Sequence, residues 1–222
     1  MNRHGHIDPH NLIALRMPLS EEPYRYFVLN KPYNMVSQFV SSHRVRLLCH
    51  LNFEFPEGTH AIGRLDKDSE GLLLLTTDRR ITRLLFQSKV PHFRKYLVQV
   101  RGVADESIVQ QLRGGVSIPV AEETSYITKP CEVELVEEPE GLFSNGKELH
   151  ERVPRSWLTI SLTEGKYHQV RKMVQAVGHP CKRLIRLAIE DIELQDLQPG
   201  EIREMTQEAF YRQLRLGYKP LL

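Results

Sequence analysis

The clearest hydrophobic pattern in the chain is the run of four leucines at residues 72–75, which ends at the polar residues 76–78. A short apolar run with polar boundaries is typical of a strand that is buried on both faces. The preceding segment, residues 63–66, is polar and would form the loop that enters this strand. Because loops held by a rigid strand often carry reactive groups, Asp66 is a candidate catalytic carboxylate. The alternative is a surface loop in which Arg64 and Asp66 are solvated charges.

Alternation of apolar and polar residues predicts further strands at residues 24–30, 96–100, 131–136, 157–162, 189–194 and 202–205. Helical periodicity predicts helices at residues 80–87, 105–113 and 169–177 and a closing helix after Thr206. Asp105 and Thr206 are residue types that cap helix N-termini. Strands outnumber helices and do not alternate regularly with them. This pattern predicts an α+β fold, a sheet with flanking helices, rather than a βαβ array.

The composition argues against a disulfide-rich, zinc-binding or membrane-spanning protein. The 222 residues carry a net charge of +2, and 41% of them are hydrophobic. The mildly basic balance would require any nucleic-acid site to be concentrated on one face. Three dispersed cysteines predict neither a disulfide framework nor a zinc site, which suits a reducing cytoplasm. No apolar run approaches the roughly 18 residues that a membrane span needs.

The first residues of the chain differ in pattern from the rest. Residues 1–22 lack periodicity and predict a flexible N-terminal arm. The three histidines of this arm, at positions 4, 6 and 10, are more typical of a tail than of a metal site. Residues 23–222 are expected to form one domain, in which residues 137–155 are a long polar loop.

A cationic segment surrounds the third predicted helix. Residues 166–186 contain six Lys or Arg and two His residues. Val170, Met173 and Val174 fall on one helix face, and Arg171 falls on the opposite one. A cationic face of this kind predicts phosphate binding, although charged faces are usually only solvated. Arg94, Lys95 and Tyr96, at the start of a predicted strand, combine cations with an aromatic ring that could stack on a base.

These segments together resemble the ribosomal pseudouridine synthase family over roughly residues 26–205. The resemblance is carried by Gly63-Arg64-Leu65-Asp66 with the following leucines, by Asn30-Lys31-Pro32, by the late motif at 164–184 and by the Pro-Gly segment at 197–203. Only 22 residues precede the Lys-Pro strand, too few for the separate RNA-binding domain that many members have. The segments at 30–33, 38–39 and 156–158 are most similar to the branch of the family that acts on large-subunit (23S) rRNA.

The resemblance implies a pseudouridine synthase fold: a mixed, mainly antiparallel sheet with flanking helices and a catalytic cleft between two subdomains. It implies that Asp66 is the catalytic carboxylate, Tyr96 stacks on a flipped uridine, Arg171 pairs with Asp66, and Leu184 packs against the base. The cations expected to contact RNA are Lys31, Arg64, Arg94, Lys95, Lys166, His168, Lys172, Lys182, Arg183 and Arg186. No metal or cofactor is expected. The expected partner is a stem-loop of 23S rRNA, bound by a monomer in the cytoplasm.

The chain departs from the family pattern at three positions, and its sequence also allows other candidate carboxylates and other functions. Asn34, Ser69 and Arg94 stand where Gly, Thr and Lys are common in the family. Asp68 and Asp78 are rival carboxylates without a matching family role. The alternatives are a synthase for 16S rRNA or tRNA, a catalytically silent ribosome-assembly protein, and a nucleosidase-like hydrolase, which usually needs a second carboxylate.

Overall fold

One nine-stranded sheet forms the framework of the protein. The computed structural model describes residues 24–86, 91–121 and 124–217. The sheet strands are β1 (Tyr26–Lys31), β2 (His60–Ala61), β3 (Glu70–Thr76), β4 (Arg94–Arg101), β7 (Glu132–Val136), β8 (Arg155–Leu162), β9 (Cys181–Ile189), β10 (Ile192–Glu193) and β11 (Ile202–Met205), while β5 (Ser117–Ala121) and β6 (Thr124–Ile127) form a separate hairpin. The main order is β11-β1-β3-β9-β4-β8-β7, with β2 beside β3 and β10 beside β9.

Within the described ranges, four α-helices pack on the sheet: α1 (Arg80–Phe86), α2 (Glu106–Gly114), α3 (Gln169–Ala176) and α4 (Gln207–Gln213). The two predicted N-caps are confirmed, since the side chain of Asp105 accepts from the Ile108 N–H and that of Thr206 from the Ala209 N–H. The α+β prediction is therefore confirmed. None of the helices in the described ranges has the length and apolar character needed to cross a bilayer.

The two halves of the sheet meet where β3 pairs with β9. This pairing is parallel, whereas the other strand pairs of the sheet are antiparallel. Gly71 lies at the contact with φ of 95°, and a Cβ on it would stand 2.4 Å from the Arg186 carbonyl oxygen. Only glycine fits at this position, because backbone atoms leave no room for a side chain.

Apolar side chains cover both faces of the sheet. On one face, α1 and α4 pack on Tyr26, Val28, Leu72 and Leu74. On the other face, α2 and α3 cover the β4–β8 half, and the loops around Met35 and Leu48 cover Leu73 and Leu75. The leucine run is thus buried on both sides, as its uninterrupted hydrophobicity predicts.

Two predictions about secondary structure need correction, and one hairpin was not predicted. Residues 181–189 form the central strand β9 rather than a continuation of the cationic surface. The single strand predicted at 189–194 is instead the end of β9 and the short strand β10, because Glu190 and Asp191 turn the chain between them. The β5–β6 hairpin was not predicted at all. The predicted arm at residues 1–22 lies outside the described residues.

Asp78 anchors α1 and α4 to the end of β3. Its buried carboxylate accepts from the hydroxyls of Tyr26 (3.1 Å) and Tyr211 (3.0 Å) and forms a two-point contact with Arg80. Burial alone would raise the pKa of Asp78, but the hydrogen bonds from Arg80 and Tyr211 outweigh it, so that the pKa is lowered. The charged carboxylate therefore contributes stability that is lost when the pH falls through this lowered pKa.

We expect Asp78→Asn to lower the free energy of unfolding at pH 7 by about 2–4 kcal/mol, because the buried tyrosine and arginine donors lose a charged acceptor. The difference from the parent protein should narrow below about pH 4, because the unfolded parent chain then takes up a proton that the folded Asp78 carboxylate, with its lowered pKa, still resists. Urea unfolding between pH 3 and 7 measures this. A difference that stays constant over that range would contradict the assignment.

Candidate active site

A cleft of about 680 Å³ opens beside the β3–β9 contact. Three of the four predicted catalytic residues, Asp66, Tyr96 and Leu184, line it. Tyr96 lies on β4 and Leu184 on β9, so strands distant in sequence bring the ring and the leucine to the loop that carries Asp66. The remaining residue, Arg171, does not line the cleft.

The Asp66 loop is a tight turn, in which the Ser69 N–H donates to the Asp66 carbonyl (3.0 Å). Ser37 fixes the residue before it: its buried hydroxyl donates to the Leu65 carbonyl (2.9 Å) and accepts from the Leu65 N–H (3.0 Å). Ser37 has no signal in the sequence, because a serine in a loop carries no pattern of its own. These paired hydrogen bonds restrain the backbone that positions the carboxylate.

Lys31 stabilises the same turn through hydrogen bonds to main-chain carbonyls. Its ammonium group, fully buried, donates to the carbonyls of Pro32 (3.0 Å) and Met35 (2.6 Å) and reaches that of Lys67 (3.5 Å). The structure therefore contradicts the prediction that Lys31 contacts RNA, because its cation is used inside the protein. Asn34 adopts φ of 57°, so this departure from the family's glycine preserves the left-handed turn.

Arg171 stabilises the C-terminal end of the turn, at residues 68 and 69. It donates to the Asp68 carbonyl (2.7 Å) and the Ser69 hydroxyl (3.2 Å). The predicted ion pair between Arg171 and Asp66 is not formed; among the described residues, the carboxylate pairs instead with His168, whose Nε2 lies 3.4 Å from Oδ1. Arg171 thus acts on the backbone of the turn and not on the carboxylate.

Arg183, predicted to bind RNA, is also buried. It forms a two-point ion pair with Glu70 (2.9 and 3.0 Å) and donates to the Phe143 carbonyl (2.6 Å). Asn145 adds a hydrogen bond to Glu70 (2.8 Å), so the long polar loop closes over the pair. Because β9 is covered on both faces, this arginine cannot belong to a solvent-exposed cationic surface. Its partner, Glu70, begins the strand that follows the Asp66 turn.

Arg186 supplies a buried positive charge to the cleft floor. Its Nε donates to the Leu72 carbonyl (2.7 Å), and its buried Nη2 has no hydrogen-bond partner in the described part of the chain. Burial lowers the pKa of Arg186, whereas the neighbouring Tyr96 hydroxyl and the Asp66 carboxylate act to raise it. Arg186 is therefore a second buried cation near Asp66, besides Lys31; it lines the cleft but is not a surface contact for phosphates.

Some of the other predicted cations line the cleft, and the rest lie outside it. Those that line the cleft are Arg64, Arg94, Lys166 and His168. Lys172 lies beside this group, with its ammonium donating to the Pro119 carbonyl (2.7 Å). Lys182 is exposed but does not line the cleft, and Lys95 lines a separate groove with Glu132 and Ser161. Lys95 points away because successive strand residues face opposite sides.

Among the described residues, Glu164 is the second carboxylate that lines the cleft. Its two oxygens accept from the Tyr126 hydroxyl (2.6 Å), the Lys129 N–H (2.9 Å) and the Gln169 amide (2.5 Å). Its hydrogen-bonding capacity is thus used to tie the late motif to the β5–β6 hairpin. Neither rival carboxylate, Asp68 or Asp78, lines the cleft. No group of three or more His, Cys, Asp or Glu residues in the described ranges is arranged to hold a metal ion.

Burial makes Lys31 sensitive to pH. Desolvation lowers the pKa of its ammonium group to about 7, although Glu70, Asp66 and Asp68 oppose this change. Between this value and the usual lysine pKa of about 10.4, the unfolded chain binds a proton that the folded protein does not. The contribution of Lys31 to the free energy of unfolding therefore rises as the pH increases across this interval.

We expect the parent protein to gain several kcal/mol of stability relative to Lys31→Met between pH 7 and pH 10. Urea unfolding of both proteins across this interval isolates the lysine, since their other titrating groups are shared. Stability curves that run parallel would show that Lys31 titrates normally.

Comparisons with known proteins identify relatives of this chain. The family model described as RNA pseudouridylate synthase matches residues 25–176. The chain is 36% identical over 190 residues to ribosomal large subunit pseudouridine synthase E of Vibrio vulnificus, covering 85% of this chain and 78% of that protein. It is 35% identical over 185 residues to ribosomal small subunit pseudouridine synthase A of Yersinia pestis, covering 83% and 70%.

A solved structure described as that of a pseudouridylate synthase superposes with a TM-score of 0.69 at 28% identity, covering 87% of this chain and 74% of that one. The matched family segment includes the Asp66 turn, the Tyr96 strand and all of α3. The chain therefore belongs to the RNA pseudouridylate synthase family and is an RNA pseudouridine synthase.

Proposed function

We propose that this enzyme converts one uridine of large-subunit (23S) ribosomal RNA to pseudouridine, with Asp66 as the catalytic carboxylate. The observation that carries the proposal is the restrained turn, which holds Asp66 in a cleft shared with Tyr96, Leu184 and Arg186. A target in 23S rRNA is supported by the relatives named for large-subunit rRNA.

The reaction is an isomerisation. The C1′–N1 bond of uridine breaks, the uracil turns and a C1′–C5 bond forms; C5 loses a proton and N1 gains one. The uridine must leave its stack before enzyme groups can reach these atoms. Tyr96 offers a ring for the extruded base, and Leu184 an apolar contact. Asp66 could attack C1′, add to C6 or remove the 2′ proton, and the same restrained position serves each of these routes.

Two basic side chains lie near the Asp66 carboxylate. His168 lies against the carboxylate, and the Arg186 guanidinium lies below it in the cleft floor. The charge of the Arg186 guanidinium attracts the Asp66 carboxylate and helps to orient it. Arg171 acts as a positioning residue, because its donors are directed to the backbone of the turn.

The proposed partner is a stem-loop, because a uridine that is not in a continuous helix costs less to extrude. The exposed cations Arg64, Lys166 and Lys182 would hold its phosphates. A monomer is the proposed active form, because Asp66, Tyr96 and Leu184 meet within a single chain. The three cysteines are free, which is compatible with the cytoplasm as the proposed location.

Two other functions are less well supported. A nucleosidase-like hydrolase usually needs a second acid or base, and the hydrogen bonds on Glu164 leave it poorly suited to that task. A silent assembly factor would have no need of a restrained Asp66 beside Tyr96. Incubation with free uridine tests the first alternative through ribose release, and pseudouridine mapping in a deletion strain tests the second.

We expect Asp66→Asn to abolish pseudouridine formation on unmodified 23S rRNA transcript while RNA affinity stays within a few-fold. The amide keeps the size of the side chain but removes its charge. Asp68→Asn is the matched control, because this carboxylate is two residues away and outside the cleft. It should retain activity. Substantial activity in Asp66→Asn would assign the chemistry to another group.

The rRNA target itself is tested by mapping pseudouridine across 16S, 23S and transfer RNA with and without the enzyme. A site confined to 16S rRNA or tRNA would overturn the 23S assignment and leave the reaction intact. This experiment is needed because identity to large- and small-subunit relatives is nearly equal, at 36% and 35%.

We expect Arg171→Ala to lower kcat by about 100-fold with KM for RNA changed only a few-fold, since misplacing a catalytic group by about 1 Å can cost that much. Arg171→Lys should recover only part of the rate, because one ammonium nitrogen cannot reproduce both the Nη2 contacts to the turn and the Nη1 contact to the Cys181 Sγ. Steady-state kinetics separates the effects. A raised KM with an unchanged kcat would instead make Arg171 a direct RNA contact.

A further inference from the structure

One aromatic side chain at the cleft mouth has no role in the reaction described above. Tyr167 lines the cleft, yet it is 73% exposed. Its ring stacks on that of His168, with centroids 3.8 Å apart and an angle of 19° between the planes. His168 in turn contacts Asp66. A continuous row of side chains thus leads from the candidate catalytic carboxylate to the solvent.

The segment that carries Tyr167 is firmly held. The Lys166 N–H donates to the side chain of Gln169 (2.8 Å), which is itself buried. Gln169 also donates to Glu164, and Glu164 is held by Tyr126 of the neighbouring hairpin. An aromatic ring on such a restrained segment loses little conformational entropy when it binds a ligand.

Burial does not explain the position of this ring. His168 covers one of its faces, and the large exposed fraction leaves most of the remaining surface open to solvent. The Lys172 ammonium lies over the ring, 5.3 Å from its centroid, on a flexible side chain that a stacked base would displace. An exposed ring beside a cation is the combination that proteins use to stack on a nucleobase and contact the adjoining phosphate.

We propose that Tyr167 stacks on a base of the RNA that flanks the extruded uridine. This inference rests on the proposed function, and it adds a second RNA-binding ring outside the cleft floor. Tyr96 is half-buried on β4 and suits the extruded base, whereas Tyr167 is at the mouth and suits a base that stays with the strand. A base on Tyr167 would also limit the motion of His168 against Asp66.

The test compares Tyr167→Ala, Tyr167→Leu and Tyr167→Phe, using unmodified 23S rRNA transcript as the probe. Loss of one base-stacking contact should raise Kd by about 5- to 100-fold in the Ala and Leu variants. The Phe variant keeps the ring and should stay within about 3-fold of the parent, less than the loss of one stacking contact. Circular dichroism establishes that each variant is folded.

Tyr24→Ala is the matched control. Tyr24 is also partly exposed and has a cation, Arg80, 4.7 Å from its ring centroid, but it lies outside the cleft. Its replacement should leave Kd unchanged. Equal losses of affinity in the Tyr24 and Tyr167 variants would contradict a specific platform at the cleft mouth.

Two further results would overturn the inference. One is an unchanged Kd in Tyr167→Ala, even if the single-turnover rate falls. The other is a loss in Tyr167→Phe as large as in Tyr167→Ala, which would assign the contact to the hydroxyl. Pseudouridine formation by the parent protein is measured in the same assay. Its absence on every RNA would refute the proposed function, whereas either result above with an active parent refutes only the role of Tyr167.

Discussion

The parallel contact between β3 and β9 is the constraint on which the site depends. Gly71 allows the two backbones to approach so closely that any side chain there would collide with Arg186 main-chain atoms. The contact sets the position of Glu70, which begins β3 directly after the Asp66 turn. It also places Leu184 and Arg186 beside that turn. Two distant parts of the chain therefore become one cleft only because their main chains touch.

Positive charge in this protein is used as much for internal structure as for surface attraction. Lys31 and Arg171 donate to main-chain carbonyls of the Asp66 turn, and Arg183 neutralises Glu70. A buried cation is costly unless its donors are satisfied, so these contacts occupy side chains that could otherwise bind phosphates. As a result, Ser37, Lys31 and Arg171 restrain the main chain around Asp66. The carboxylate oxygens of Asp66 stay partly exposed to the cleft.

The elements that the sequence predicted well are those with local signals. The leucine run, the caps at Asp105 and Thr206 and the amphipathic helix α3 each depend on neighbouring residues. Strand β9 was missed because Arg183 on one of its faces and Arg186 on the other interrupt the apolar alternation. Each arginine is buried only because acceptors from a distant strand, Glu70 and the Leu72 carbonyl, meet it there.

The sequence by itself determined the family resemblance, the α+β class and the selection of Asp66, Tyr96 and Leu184, since motifs and local periodicity carry that information. The tertiary structure decided which cations remain available for RNA and which group faces the carboxylate. Asp66 meets His168 and the buried Arg186, while Arg171 holds the turn. These distinctions are invisible in the chain, because burial and hydrogen-bond partners are set by contacts between residues that lie roughly 100 positions apart.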